Sequence, residues 1–267
     1  MTRSPQLSAS ETAGSLRLCR GSAVVCLLAI VTCLWSGEAQ AAATLQIQPV
    51  RLTLSAAAGG SGKFAVINRG DTAVVLQVRL FTWGQDAAGH DVLAPSSDVL
   101  FTPSIMRVER DSRQTVRFAF RPGVTADAIS ERAFRIFLDE LPQSAPDLES
   151  VSPAGTLIRM RYMLPLFAGG EKGRAGPVAV EVKRGREGCV FRLLNKGTRH
   201  VRVSGFHALH QNKSFKIAAP RYLLPGVDVG VPCPSRYGID HDIGELKLET
   251  NVGVFPRGDS WGPDVLN

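Results

Sequence analysis

The chain has 267 residues, of which 44% are hydrophobic and 21% are charged, and its formal net charge is +7. This composition excludes an intrinsically disordered chain, and the 26 glycines follow no three-residue period, which excludes a collagen-like one. The positive charge is spread along the chain, so we expect no nucleic-acid-binding arm and no nucleic-acid partner. The length predicts one large domain or two ordinary ones.

Residues 1–41 have the features of a cleaved secretory signal. Arg17 and Arg20 precede the apolar stretch 22–35, and Ala39-Gln40-Ala41 places small residues at the positions that signal peptidase recognises. The apolar stretch is too short to span a bilayer comfortably. We therefore expect export from the cytoplasm and no stable membrane insertion after cleavage; a retained anchor is the alternative.

After residue 41 the chain alternates apolar and polar residues with the two-residue period of β-strands. The clearest segments are 74–80, 114–120 and 134–138. Side chains two apart share one face of a sheet, so each segment predicts an antiparallel strand with one buried side. In the first strand Pro49 interrupts the alternation, which predicts a bulge or a switch between sheets at the edge of a sandwich. The predicted fold class is all-β.

A glycine-rich segment, residues 168–177, divides the predicted strands into two groups. Residues 42–167 and 178–255 each have a suitable length for an immunoglobulin-like β-sandwich, and residues 256–267 form a polar tail. We therefore predict two immunoglobulin-like domains joined by a linker.

Only two of the five cysteines, Cys189 and Cys233, lie outside the predicted signal. Two cysteines in an oxidising compartment predict one disulfide. Closing that loop would stabilise the fold by roughly 4 kcal/mol in the chain-entropy model. The alternative is two free, buried thiols; a zinc site is not expected without a neighbouring cluster of cysteine and histidine.

No arrangement of residues indicates catalysis. The glycine-rich segment 57–64 lacks a glycine and the Ser/Thr of a phosphate-binding loop, and it joins two predicted strands. His207 and His210 are three residues apart, so on a strand they point to opposite faces. No G-x-S-x-G motif is present. We expect neither an enzyme nor a metal or other cofactor.

Three arginines stand in apolar strands. Arg51 lies between two aliphatic residues, and Arg159 and Arg161 alternate with Ile158 and Met160. The usual interpretation of such arginines is a solvated polar face. The alternative is a guanidinium beside a cleft, where it binds a carboxylate through paired, charge-assisted hydrogen bonds.

A series of motifs in residues 45–167 follows the order found in one protein family. The matching segments are Val50-Arg51-Leu52, 66–70, 104–108 with 114–118, and 131–142, which has a glutamate, alternating aromatics and the ending Glu140-Leu141-Pro142. In these motifs the chain resembles the periplasmic pilus (fimbrial) chaperones, the PapD-like proteins. Residues 81–85 and 91–93 resemble the archaic, CsuC-like branch of that family. Over the second half the resemblance is weak.

The resemblance implies two immunoglobulin-like domains set at an angle, with a cleft between them. It also implies a periplasmic chaperone that works by donor-strand complementation, a form of strand addition. A pilus subunit lacks one strand and exposes an unpaired groove. The chaperone lends its own strand, caps the groove and delivers the subunit to an outer-membrane usher, the second partner that the family implies.

The same resemblance assigns roles to individual residues. Arg51 matches the arginine that anchors the C-terminal carboxylate of the subunit, and Arg161 matches the second basic residue best, with Arg159 as the alternative. Glu131 resembles the interdomain salt-bridge acid, for which the sequence shows no evident basic partner. The lent strand would place four residues on its subunit-facing side: Ala154, Thr156, Ile158 and Met160.

A second function from a different class is a structural or adhesive module of two secreted β-sandwiches. Such a module would bind through surface loops and keep the strand 155–165 fully paired within its own sheet. The two hypotheses therefore differ in whether that strand has an edge available to another chain.

Overall fold

The computed structural model describes residues 45–55, 59–142, 159–185, 188–210, 213–233 and 245–256. These residues form strands, bridges and turns without a helix, and the predicted all-β fold class is confirmed. No described segment is a helix that is long and apolar enough to cross a membrane.

The described residues form eighteen strands, which alternate buried and exposed side chains in most cases. Ten belong to the first half: β1 Leu45–Gln48, β2 Leu52–Leu54, β3 Ser61–Asn68, β4 Val74–Gln85, β5 Asp91–Pro95, β6 Val99–Thr102, β7 Ile105–Val108, β8 Arg113–Phe120, β9 Glu131–Leu141 and β10 Arg161–Gly169. Eight belong to the second half: β11 Val178–Gly185, β12 Gly188–Asn195, β13 Val201–His210, β14 Lys213–Lys216, β15 Tyr222–Leu223, β16 Asp228–Pro232, β17 Glu245–Thr250 and β18 Gly253–Pro256.

The first ten strands form a two-sheet sandwich. One sheet has the order β1-β3-β8-β6, and the other has the order β2-β10-β9-β4-β5, with β7 also paired to β4. The side chains between them form one core, which includes Phe64, Leu76, Phe118, Phe134 and Ile136. The predicted alternation in β9 is therefore correct, because Phe134, Ile136 and Leu138 all face this core.

The chain changes sheets at Pro49. Before the proline, β1 pairs antiparallel with β3; after it, β2 pairs parallel with β10, with Leu52 opposite Leu166. Proline cannot donate a backbone hydrogen bond, so it interrupts one ladder and lets the chain enter another. This switch places Arg51 directly before β2, at the edge of the second sheet.

The last eight strands form a second sandwich with its own core. One sheet has the order β11-β12-β16, and the other has β14-β13-β17-β18, with β15 also paired to β13. Phe191, Phe206 and Leu246 are among the fully buried core residues. Cys189 and Cys233 form a disulfide with their Cα atoms 5.4 Å apart, as the cysteine count predicts.

Each sandwich contains the same asparagine-centred turn. Asn68 donates to the carbonyl oxygens of Thr72 and Val108 and accepts the N–H of Gly70. In the second sandwich, Asn195 donates to three backbone carbonyls and accepts the N–H of Gly197. Both asparagines are fully buried, so each amide satisfies backbone groups that would otherwise be unpaired.

The predicted linker, residues 168–177, is held by backbone hydrogen bonds. Its first residue, Ala168, still belongs to β10 and to the first core. Further along, the N–H groups of Gly170 and Lys172 donate to the carbonyls of Asp127 and Ala128, both at 2.8 Å. The exact limits of the two domains stay a prediction.

Three charged side chains connect neighbouring strands on the outer face of the second sheet. Asp139 on β9 accepts hydrogen bonds from Arg79 on β4, at 2.6 Å, and from Arg161 on β10. Burial raises the pKa of the Asp139 carboxyl, but the hydrogen bonds and charges of the two arginines outweigh it and hold this pKa below its ordinary value.

We predict that Asp139→Asn lowers the free energy of unfolding at neutral pH by about 1 kcal/mol, a value reduced by the solvent exposure of both arginines. Because the folded pKa is depressed, the contribution is complete above the unfolded value of 3.8 and is lost as the pH falls through the folded value. Urea titrations at about pH 7 and about pH 2 measure it. The exposed Asp71→Asn change is the control, and a difference that persists at the lower pH would contradict the assignment.

We predict that replacing both Cys189 and Cys233 by alanine lowers the stability of the second sandwich by roughly 4 kcal/mol, because the disulfide closes a loop with a sequence separation of 44. The first sandwich has its own core and should unfold at an unchanged denaturant concentration. Amide hydrogen exchange, followed separately for the strands of each sandwich across a denaturant series, distinguishes the two transitions. An equal loss in both would show that the sandwiches unfold as one unit.

Candidate functional site

The strand β10 has one edge that is only partly covered. Along its whole length β10 pairs with β9, from Arg161 opposite Asp139 to Gly169 opposite Glu131. On its other side β2 pairs only with residues 166–168. Among the described strands, none pairs with that side of Arg161–Pro165, which we call the open edge.

The backbone groups at the open edge can be assigned from the ladder with β9. The N–H of Glu140 donates to the carbonyl of Met160, directly opposite, at 3.1 Å. In an antiparallel ladder such hydrogen-bonded positions alternate, so the backbone groups of Arg161, Met163 and Pro165 point away from β9. Pro165 has no N–H, and its carbonyl faces the N–H of Leu52 in the parallel ladder with β2, so the open edge offers two donors and two acceptors.

The two faces of β10 differ in chemistry. Leu164 and Leu166 are buried in the first core, and Tyr162 packs against it. The outer face carries Arg161 and Met163, and the side chain of Met163 is 58% exposed. Met160 has the parity of the core-facing residues but is 45% exposed, so it is available for contact with another chain.

Arg51 stands where the open edge ends. Since Leu52 lies opposite Leu166, the residue before it lies beside Pro165. Leu52 and Leu54 face the core, so Thr53 points outward. Arg51 is two residues before Thr53, lies on the same side and is exposed. A strand added along the open edge would therefore meet Arg51 before it could meet β2.

The structure does not bring Arg161 next to Arg51. Arg161 lies four residues along β10 from Pro165, which corresponds to about 13 Å of strand. Its guanidinium donates to Asp139 on the neighbouring strand and lies over the Phe137 ring, 5.1 Å from its centroid. Arg159 is exposed at the entrance to β10.

A different arginine, to which the sequence analysis gave no role, lies across Pro165 from Arg51. Arg135 is opposite Pro165 on β9 and faces outward. Its guanidinium lies 3.5 Å from the Trp83 ring centroid and donates to Asp91 at 2.8 Å, while its Nε is buried without a hydrogen-bond partner. Only the pairing of β2, β10 and β9 reveals this proximity, because no local sequence pattern fixes it.

Glu131 connects the two sandwiches. It is 6% exposed and accepts the backbone N–H of His200 at 2.9 Å, and its Oε1 lies 2.7 Å from Nδ1 of the same histidine. The His200 ring stacks on Phe167 with centroids 3.5 Å apart. The basic partner that the sequence did not reveal is therefore a histidine, 69 residues away, with Arg199 Nε at 3.7 Å from the other carboxylate oxygen.

The β4–β5 hairpin provides a second contact between the sandwiches. The side-chain amide of Gln85 donates to the Tyr222 carbonyl at 2.9 Å and accepts the N–H of Leu224 at 3.0 Å. At the hairpin tip, a Cβ on Gly89 would lie 2.7 Å from side-chain atoms of Pro220 and Val229. Glycine is required there because the two surfaces approach so closely.

The remaining candidate residues of the lent strand, Ala154, Thr156 and Ile158, lie outside the described residues. Within the described ranges there is no group of three or more histidine, cysteine, aspartate or glutamate side chains that could hold a metal ion.

Comparison with solved structures identifies the fold. A chain in the complex of the CsuC chaperone with the tip adhesion subunit CsuE, from the archaic chaperone-usher Csu pili of Acinetobacter baumannii, is 19% identical with a TM-score of 0.59; the match covers 80% of this chain and 98% of that one. The Pseudomonas aeruginosa CupB2 chaperone is 16% identical with a TM-score of 0.54, covering 80% and 99%. A chain in the complex of the Salmonella enterica SafA pilin with the SafB chaperone is 13% identical with a TM-score of 0.54, covering 82% and 97%. At these low sequence identities, the structural similarity establishes the fold alone.

The sequence itself matches a family. No curated protein matches the chain at a significant level. Residues 44–169, however, match the family described as "Pili and flagellar-assembly chaperone, PapD N-terminal domain". This range contains the whole first sandwich with its open edge. Residues 44–169 therefore belong to the PapD N-terminal domain family of pilus-assembly chaperones.

Proposed function

We propose that this chaperone captures a pilus subunit by pairing the open edge of β10 with the unfinished sheet of the subunit, and caps it until fibre assembly. The observation that carries the proposal is an edge of five residues, Arg161–Pro165, that β2 leaves unpaired. An unpaired strand edge is a template for strand addition, and main-chain hydrogen bonds supply affinity for many sequences.

The geometry supports one direction for the added strand. β2 runs parallel to β10 and occupies the same edge from Leu166 onward. A subunit strand that runs parallel to β10 would therefore end where β2 begins. Its terminal carboxylate would lie beside Arg51, whose guanidinium can bind it through two charge-assisted hydrogen bonds.

Other basic residues are proposed to have secondary roles. Arg135 contributes positive charge on the far side of Pro165, although Asp91 already accepts one of its hydrogen bonds. Arg159 and Arg161 precede the carboxylate position along the edge, so they would contact residues of the subunit that precede its C-terminus. Glu131, through His200, would keep the second sandwich in a fixed orientation beside this edge.

The proposal extends to the lent strand and to the cellular setting. Ala154, Thr156, Ile158 and Met160 would continue the edge into the groove of the subunit. Residues 1–41 would be removed on export to the periplasm, the compartment in which the family acts in general. By analogy with the archaic chaperone-usher system of the Csu pili, we assign the chain to that branch and infer delivery to an outer-membrane usher. Replacement of one strand by a better-fitting one needs no catalytic step.

We predict that Arg51→Ala lowers the affinity for a subunit by about 30-fold or more, because the subunit carboxylate loses its partner in a partly desolvated site. The measurement is calorimetric titration with a subunit peptide that ends in a free carboxylate. The exposed Arg69→Ala change, on the turn after β3, is the control. Arg161→Ala should have a smaller effect than Arg51→Ala.

The same titration with a C-terminally amidated peptide tests the contact itself. Amidation should weaken binding to the original chain but make almost no further difference to the Arg51→Ala chain, because both changes remove the same interaction. If the two losses simply add, Arg51 does not bind the carboxylate.

We predict that Met163→Pro abolishes subunit capture while the chaperone remains folded. The substitution removes an N–H that points to the open edge and leaves the ladder with β9 intact, as Pro165 already does two residues later. Met163→Ala retains this N–H and is the matched control, expected to bind with a modest loss. Co-purification with the subunit reports capture, and the thermal midpoint reports folding. Undiminished capture by a folded Met163→Pro chain would exclude strand addition at this edge.

A further inference from the structure

The outer face of the four-stranded sheet carries an unneutralised positive charge. Phe64, Val66, Val116 and Phe118 point into the first core, so the residues between them point outward. The exposed outward side chains of the three strands β1, β3 and β8 include Gln46, Gln48, Lys63, Arg113, Thr115 and Arg117. We call this surface the basic face.

The cations of the basic face form no ion pair within the part of the chain that the structure describes. Lys63 lies directly opposite Arg117 in the β3–β8 ladder, and like charges at such positions destabilise a sheet. Among the ion pairs of the described residues, none includes Lys63, Arg113 or Arg117. This arrangement indicates an anionic partner outside the chain.

The acids nearest in sequence do not neutralise this charge. Glu109 and Asp111, on the turn that leads into β8, pair with Arg107 and Arg110. The positive charge of the basic face is therefore left for a ligand.

The chemistry of the face distinguishes between classes of partner. Protein interfaces depend on buried aromatic or large apolar anchors. Beside the basic face, Leu100 on the edge strand β6 is an exposed apolar side chain, and none of the described outward residues of the face is an exposed aromatic. Cations spread over a broad polar surface suit the repeated phosphate groups of a bilayer, which attract each basic residue without requiring a shaped pocket.

We propose that the basic face binds the surface of an anionic phospholipid bilayer. The face belongs to the β1-β3-β8-β6 sheet, whereas the open edge belongs to the other sheet of the sandwich. A subunit strand paired with β10 therefore leaves Lys63, Arg113 and Arg117 exposed. The chaperone can then remain at a membrane surface while its subunit-binding edge is occupied, and this inference does not depend on the proposed role of that edge.

The test is flotation with lipid vesicles, using the chain as purified after export. We expect the chain to float with vesicles of phosphatidylglycerol and phosphatidylcholine, not with vesicles of phosphatidylcholine alone, and to be released by about 0.5 M sodium chloride. The combined change Lys63→Gln, Arg113→Gln and Arg117→Gln should lower the partition coefficient about 100-fold, since each cation contributes roughly a factor of five.

The matched control removes the same charge from the second sandwich. Lys213, Lys216 and Arg221 are exposed there, and changing all three to glutamine should alter partition by less than about threefold. The thermal midpoint of the first triple variant should not fall, because its substitutions relieve a like-charge pair. Absence of vesicle binding by the original chain, or an equal loss in both triple variants, would overturn the proposal.

Discussion

The incomplete pairing of β10 is the constraint on which the site depends. Pro49 ends the ladder between β1 and β3 and sends the chain to the other sheet, where β2 reaches β10 only at Leu166. From Leu166 onward β2 covers the edge of β10, whereas the residues Arg161–Pro165 have no partner residue on β2. The same switch places Arg51 at the junction. A sequence change that lengthened β2 toward its N-terminus would close the edge and displace the arginine together, so the two features are physically inseparable.

The second sandwich is attached close to this edge by contacts that restrict its orientation. Phe167, on the outer face of β10, stacks on His200, and Glu131 on β9 binds the same histidine. The hairpin after Trp83 continues this interface through Gln85 and Gly89, because Tyr222 contacts both the Phe167 ring and the Gln85 side chain. An extended interface restricts rotation more than a single contact can. Glu131, His200 and Phe167 are all buried, and the low local dielectric strengthens the hydrogen bond between Glu131 and His200.

Much of the fold could be predicted from local sequence, whereas the relations between distant strands could not. The two-residue period correctly placed Phe134 and Ile136 in the core and Asp139 outside it, and the break at Pro49 indicated a change of sheet. The period of a strand carries no information on its register with a neighbour that is far away in sequence. For this reason the separation of Arg51 from Arg161, the position of Arg135 beside Pro165, and the pairing of Glu131 with His200 all required the structure. The segment that the resemblance assigned to subunit binding, with Ala154 and Ile158, is a prediction that still rests on the sequence.

An open strand edge is an aggregation hazard, and the chain limits it with local chemistry. Within the described strands, the uncovered part is only five residues long; it begins at Arg161 and ends at Pro165, which removes one donor. Two copies that approach edge to edge would bring their arginines together and would lose ladder hydrogen bonds at their prolines, so self-pairing is disfavoured. A subunit strand with a terminal carboxylate would avoid this charge repulsion and would gain the proposed contact with Arg51. The features that disfavour self-pairing would therefore also favour the proposed partner, so that a single edge can be both exposed and specific.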